Sequence, residues 1–285
     1  MSAFPDDRYR PVEHYENFPV ASWLCPPRLR RPIAAIYWFA RTADDIADEG
    51  NATEGERLAD LLTYRNELAA CLAGNSGSGR WGNLFAALGT ARVEFALPEQ
   101  PLFDLLAAFR QDVEKTRDRA GYRDRADLVD YCSRSANPVG RLLLHLYGVT
   151  DAKSLAQSDA ICTALQLANF WQDLSVDLPR GRYYLPAEDC RRHGLDPSRP
   201  RSWPMNPNAP QLVRELCTWT RDLMLSGAPL VHRVPGRAGW ELRMVVQGGL
   251  RVLRRIEAMG HRTMQRRPAL GPLDVPTMLW GALWM

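Results

Sequence analysis

The sequence predicts an all-α fold, one helical bundle closed around an apolar cavity, on three observations. Apolar residues recur at steps of three and four through most of the chain, and no strand-like run bounded by hairpin turns competes with them. Two long apolar segments each carry a stripe of acids and amides that only an internal cavity can accommodate. No internal repeat is visible.

Residues 1–12, polar and proline-containing, read as a loose arm, and residues 13–285 as a single domain. Pro26 and Pro27 break the stretch that begins at His14, and Pro32 is expected to start a helix that ends near Gly50. An amphipathic helix follows over 54–73, then a glycine-rich linker. Gly77, Gly79 and Gly82 there match Gly-x-Gly-x-x-Gly, but a helix precedes them rather than a strand, so the dinucleotide-cradle reading fails its context. Helices are expected over 83–96 and 101–117, the second begun by Pro98 and Pro101. From Asp127 to Tyr147 the pattern stays helical, with a kink and a freed carbonyl at Pro138. A buried helix then runs to Asp177 and stops at Pro179 and Gly181. Residues 197–210 read as a loop, followed by helices near 211–226 and 237–259. The closing run from Pro276 to Met285 is too short to span a bilayer.

A hydrophobic content of 46% with 24% charged residues is that of a folded soluble protein, and a formal charge of +3 is too small to imply a nucleic-acid partner. The six cysteines are widely spaced with no Cys-x-x-Cys, which argues against a zinc module and for reduced thiols in the cytoplasm. No signal-peptide pattern opens the chain. The expectation is a cytoplasmic protein; Arg243, Arg251, Arg254 and Arg255, together with the apolar ending, offer peripheral contact with the inner face of a membrane, against the plainer reading of a solvated basic helix face.

The chemistry lies on two stripes. At about 100° per residue, Gln166, Asn169, Asp173 and Asp177 fall within roughly 80° of one another around a helix otherwise walled by Leu, Ala, Phe and Trp. Tyr37, Arg41, Asp44 and Asp48 share a face in the same way far upstream. Carboxylates one turn apart repel, and burial penalises their charged form, so positive charge must sit between them. Two such pairs facing each other across a cavity would hold hard divalent cations through oxygen and leave sites for water and phosphate, an arrangement that suits Mg²⁺ and a diphosphate. A solvated helix face explains one Asp-x-x-x-Asp; it explains two copies with matching polar neighbours poorly.

With these residues in view, the sequence resembles the head-to-head isoprenyl synthases, the family of squalene, dehydrosqualene and phytoene synthases. Tyr-x-x-x-Arg-x-x-Asp-x-x-x-Asp is matched by Tyr37, Arg41, Asp44 and Asp48, and Gln-x-x-Asn-x-x-x-Asp-x-x-x-Asp by Gln166, Asn169, Asp173 and Asp177. The resemblance implies an isoprenoid-synthase catalytic domain in which Asp44, Asp48, Asp173 and Asp177 bind Mg²⁺. It implies that His14, Asn17, Phe18, Arg41, Gln166, Asn169, Arg182 and Tyr183 bind a prenyl diphosphate, and that Tyr131 and Tyr37 serve the chemical steps. Where relatives carry a basic residue in the early segment, this chain has Glu16, and where they carry a glycine beside the tyrosine segment it has Asn137.

The segments around Asn17 and Asn137 look most like those of bacterial hydroxysqualene synthases of hopanoid biosynthesis, which convert presqualene diphosphate and water to hydroxysqualene. On that resemblance Asn137 is a candidate to hold water beside a carbocation, against a plain packing role. Condensation of two farnesyl diphosphates is the alternative chemistry, and a non-catalytic scaffold the alternative of another class. A di-iron bundle is excluded by the lack of Glu-x-x-His.

Overall fold

The computed structural model describes residues 25–75 and 79–285. His14, Asn17, Phe18, Glu16 and Gly77 lie outside the described residues. Among those described, the α-helices in chain order are α1 (Pro27–Asp48), α2 (Glu54–Leu72), α3 (Gly82–Phe95), α4 (Gln100–Asp118), α5 (Arg125–Ser135), α6 (Asn137–Leu146), α7 (Ala152–Asp177), α8 (Ala187–Arg192), α9 (Ala209–Gly227), α10 (Arg237–Ala258) and α11 (Val275–Leu283). The one departure from helix and loop is an isolated bridge between Tyr122 and Pro186, so the all-α expectation holds among these residues.

Three boundaries differ from expectation. Helix α1 begins at Pro27, whose missing N–H needs no partner at the first position, and Pro32 lies buried inside it. The kink foreseen at Pro138 is a full break. Helix α5 closes with the Ala136 N–H on the Cys132 carbonyl, and Pro138 stands in the first turn of a separate helix, where a missing donor costs nothing. Residues 200–205, expected as loop, form a 3₁₀ turn that buries Trp203, whose indole N–H donates to the Asp196 carbonyl at 2.7 Å. Helix α8 was too short to show a period.

Three helix starts are set by side-chain caps. The Thr53 and Glu56 pair forms a capping box on α2, and Asp124 and Asp151 accept from backbone N–H groups of α5 and α7. Helix α7 forms the spine. Leu167, Ala168, Trp171 and Leu174 are buried along it, and the Trp171 indole donates to Thr220 of α9 at 2.8 Å. The two helices meet closely at Gly227, where a Cβ would lie 2.5 Å from the Gln157 carbonyl oxygen. Helix α1 packs on α4, α4 on α5 and α5 on α7, which places the two acidic stripes in one ring of helices. No helix among the described residues is long and apolar enough to cross a membrane.

Candidate active site

That ring encloses a cavity of about 950 Å³. Asp44 and Asp48 line it from α1, and Gln166, Asn169, Asp173 and Asp177 from α7. The helix period explains why each set shares a wall, and the packing of α1, α4, α5 and α7 explains why the walls face one space. Helix α4 adds Phe109, Asp112, Val113 and Thr116, and α5 adds Tyr131 and Ser135. Arg180, Arg182 and Tyr184, from the segment after α7, complete the lining.

Charge is unevenly shared around this space. Burial pushes the Asp177 carboxyl up to about 7, opposed by Arg182 and reinforced by Asp173. Burial likewise pushes Asp44 up to about 6, with Arg41 opposing and Asp48 reinforcing. Three arginines are seated on these carboxylates: Arg182 donates to Asp48, Arg267 to both oxygens of Asp173, and Arg41 to Asp44 at 3.2 Å; Arg57, which also lines the cavity, donates instead to the backbone carbonyls of Ala52, Ile46 and Gly50. Among the described residues no three acidic, histidine or cysteine side chains converge on one point as they stand. The donor set nonetheless consists of carboxylate oxygens, of which burial has made those of Asp44 and Asp177 costly to charge, and that is the chemistry a hard divalent cation satisfies.

Several residues singled out from the sequence fall elsewhere. Arg41 does not line the cavity; it donates to Glu49 at 2.6 Å as well as to Asp44, bracing the acidic end of α1 from the side. Tyr37 is also absent from the lining and sets its ring edge-on to Trp38 at 5.2 Å. Asn137 is buried away from the cavity, and its Oδ1 accepts from the Thr163 hydroxyl at 2.9 Å. This is the contact of the packing reading of Asn137: α6 begins at this residue and its side chain meets Thr163 of α7. Tyr183 packs against Trp203 beside a separate cleft, and its neighbour Tyr184 takes the place in the cavity wall. Tyr131 is where expected, buried and on the cavity.

Asp112 and Ser135 were not foreseen. Asp112 accepts from the Tyr131 hydroxyl at 2.6 Å. It stands between the cavity-lining Phe109 and Val113, and an acid on the buried face of an amphipathic helix is the signal that would have found it.

The family model described as squalene/phytoene synthase matches residues 12–274. The chain is 33% identical over 270 residues to a hydroxysqualene synthase of Rhodopseudomonas palustris, covering 94% of this chain and 88% of that protein. It is 32% identical over 277 residues to a hydroxysqualene synthase of Sinorhizobium fredii, covering 96% and 90%. The solved structure of a squalene synthase from Alicyclobacillus acidocaldarius superposes with a TM-score of 0.77 at 34% identity, over 87% of this chain and 90% of that one.

Proposed function

The chain belongs to the squalene/phytoene synthase family of enzymes, and from that premise we propose that it converts presqualene diphosphate and water to hydroxysqualene and diphosphate, with Mg²⁺ as cofactor. Support comes from one arrangement: two acidic stripes and Arg182 share a cavity with the faces of Phe109, Tyr131, Phe170 and Tyr184. One end suits a diphosphate and the other a hydrocarbon chain. The names of the two relatives supply the product.

Asp44, Asp48, Asp173 and Asp177 would hold Mg²⁺, which when bound supplies positive charge to the departing diphosphate oxygens. Arg182 brings a forked guanidinium to the same oxygens, and the Gln166 and Asn169 amides offer donors one turn away on α7. Phe170 and Tyr184 stack with ring centroids 3.8 Å apart and form a rigid aromatic wall. Such a face stabilises a carbocation through its quadrupole without offering it a nucleophile. Residues 13–285 act in this reading as one catalytic unit.

Incubating the purified protein and Mg²⁺ with presqualene diphosphate should release hydroxysqualene and diphosphate. Turnover of farnesyl diphosphate alone would overturn the proposal in favour of condensation, a second reading favoured by the squalene synthase label of the solved relative. A non-catalytic scaffold is disfavoured because all four aspartates line one cavity.

An oily substrate also calls for a lipid surface, and we assign it to α11. Leu279, Trp280, Leu283 and Trp284 are exposed there, with the two indoles 5.8 Å apart, and Leu273 just ahead is 86% exposed. Paired tryptophans beside leucines suit the headgroup boundary. Flotation with anionic liposomes should carry the protein up, and W280S with W284S should leave it at the bottom; equal flotation removes the assignment.

A further inference from the structure

We infer that Ser135, Tyr131 and Asp112 form a device that holds the attacking water and accepts its proton. The inference rests on the hydration reading above. Tyr131 and Ser135 stand one turn apart on α5, and both line the cavity. The Ser135 hydroxyl oxygen is buried and has no hydrogen-bond partner among the described residues. A buried hydroxyl without a partner is costly, and a water placed against it from the cavity removes that cost. Beside it, Tyr131 lines the same space and its hydroxyl already donates to Asp112, which leaves the lone pairs of that oxygen to accept.

The chemistry needs such a device. Diphosphate leaves with the electron pair of its carbon–oxygen bond, and the carbocation takes a lone pair from water to form a protonated alcohol. Protonated alcohol carbon is bonded to an excellent leaving group. Unless the proton departs at once the bond breaks again, and the cation then loses a C–H proton to give a hydrocarbon. In the device, water passes its proton to the Tyr131 oxygen while Tyr131 passes its own to Asp112. The balance closes with a neutral alcohol, a neutral Asp112 carboxylic acid and free diphosphate.

Asp112 is suited to hold that proton. Burial pushes its carboxyl up to about 7, with the Tyr131 hydrogen bond and Arg182 opposing and Asp44 and Asp48 reinforcing. The groups facing it are thus Tyr131 and Cys132 of α5, Asp44 and Asp48 of α1, and Arg182 after α7; the Tyr122 and Tyr184 rings complete the surroundings, and burial pushes both, like Tyr131, above the usual phenol range, so all three stay neutral phenols and the carboxylate is the final proton acceptor. Tyr131 touches the reacting water and is catalytic; Asp112 acts through it and is a positioning residue.

The test follows products from presqualene diphosphate and Mg²⁺ in S135V, Y131F and D112N, with thermal unfolding confirming the fold of each. The expected result is at least a tenfold fall in the ratio of alcohol to hydrocarbon in every variant, with D112N and Y131F together no worse than either alone. An unchanged ratio in S135V and D112N, or effects of D112N and Y131F that multiply, overturns the inference. Should D112N fail to fold, S135V and Y131F decide alone. A wild type that makes no alcohol from presqualene diphosphate would instead sink the hydration reading itself, which keeps the two failures apart.

Discussion

Arg182, after the end of α7, donates to Asp48 at the end of α1, and this one bond fastens the two acidic helices across the cavity. Arg182 lines the same cavity as Asp173. Replacing it by glutamine should lower the rate of diphosphate release by about 10²- to 10³-fold, the usual loss for one preorganised charge at a developing anion. Lysine should recover only part, because an ammonium cannot reproduce the fork. Steady-state kinetics at saturating Mg²⁺ check this, and a glutamine variant within threefold of wild type removes Arg182 from the chemistry.

Metal dependence should appear in stability as well as rate. Asp44 and Asp177 have carboxyls raised to about 6 and about 7. A raised folded-state value means that the stability they contribute is fully present below about pH 4, the unfolded range, and is lost as pH rises through 6 to 7 in the chelated protein. Adding Mg²⁺ opposes that loss, so the gain in Tm should be larger near pH 7.5 than near pH 5. D173N should shrink the gain at the higher pH. Scanning fluorimetry with and without chelator reads this directly, and equal gains at both pH values would contradict the assigned ligands.

Asn137 should matter for folding and not for product. Its replacement by alanine strands the buried Thr163 hydroxyl, for a loss of about 1–3 kcal/mol in denaturant unfolding. The alcohol share should stay at the wild-type value. A changed share with normal stability would return Asn137 to the cavity.

Asp274 predicts an acid-sensitive seam. Its buried carboxylate accepts from Arg255, the Gly271 N–H and Arg251, in that order of effect, and is held well below the usual carboxylate range. A lowered folded-state value contributes stability present above about pH 4 and lost as pH falls through the folded value. D274N should therefore destabilise the protein at neutral pH, by an amount that shrinks towards acid. Tryptophan fluorescence of α11 should report the change, and a pH-independent difference would mean that the carboxylate does not titrate as argued.

The acidic stripes were legible in the sequence because helical period puts residues three and four apart on one face whatever the helix packs against. That logic fails where there is no period. Tyr183 and Tyr184 are neighbours in an irregular segment, and only tertiary packing decides which ring meets Phe170 and which meets Trp203. It fails too across distance: nothing local links Arg267 to Asp173, or Arg125 of α5 to the buried Asp189 of α8. The Asn137 contact with Thr163 was not legible because a proline read as a kink proved to lie in the first turn of a new helix.

The stretch between α10 and α11 touches α7 twice, through Arg267 on Asp173 and through the Gln172 amide, which donates to the Pro268 carbonyl at 2.8 Å. Seven residues on from Pro268, the same stretch becomes the tryptophan helix. On the proposed metal assignment, mechanical disturbance of that helix, whether by bilayer, detergent micelle or fused tag, should be felt at Asp173, so apparent magnesium affinity measured in detergent and in lipid is expected to differ.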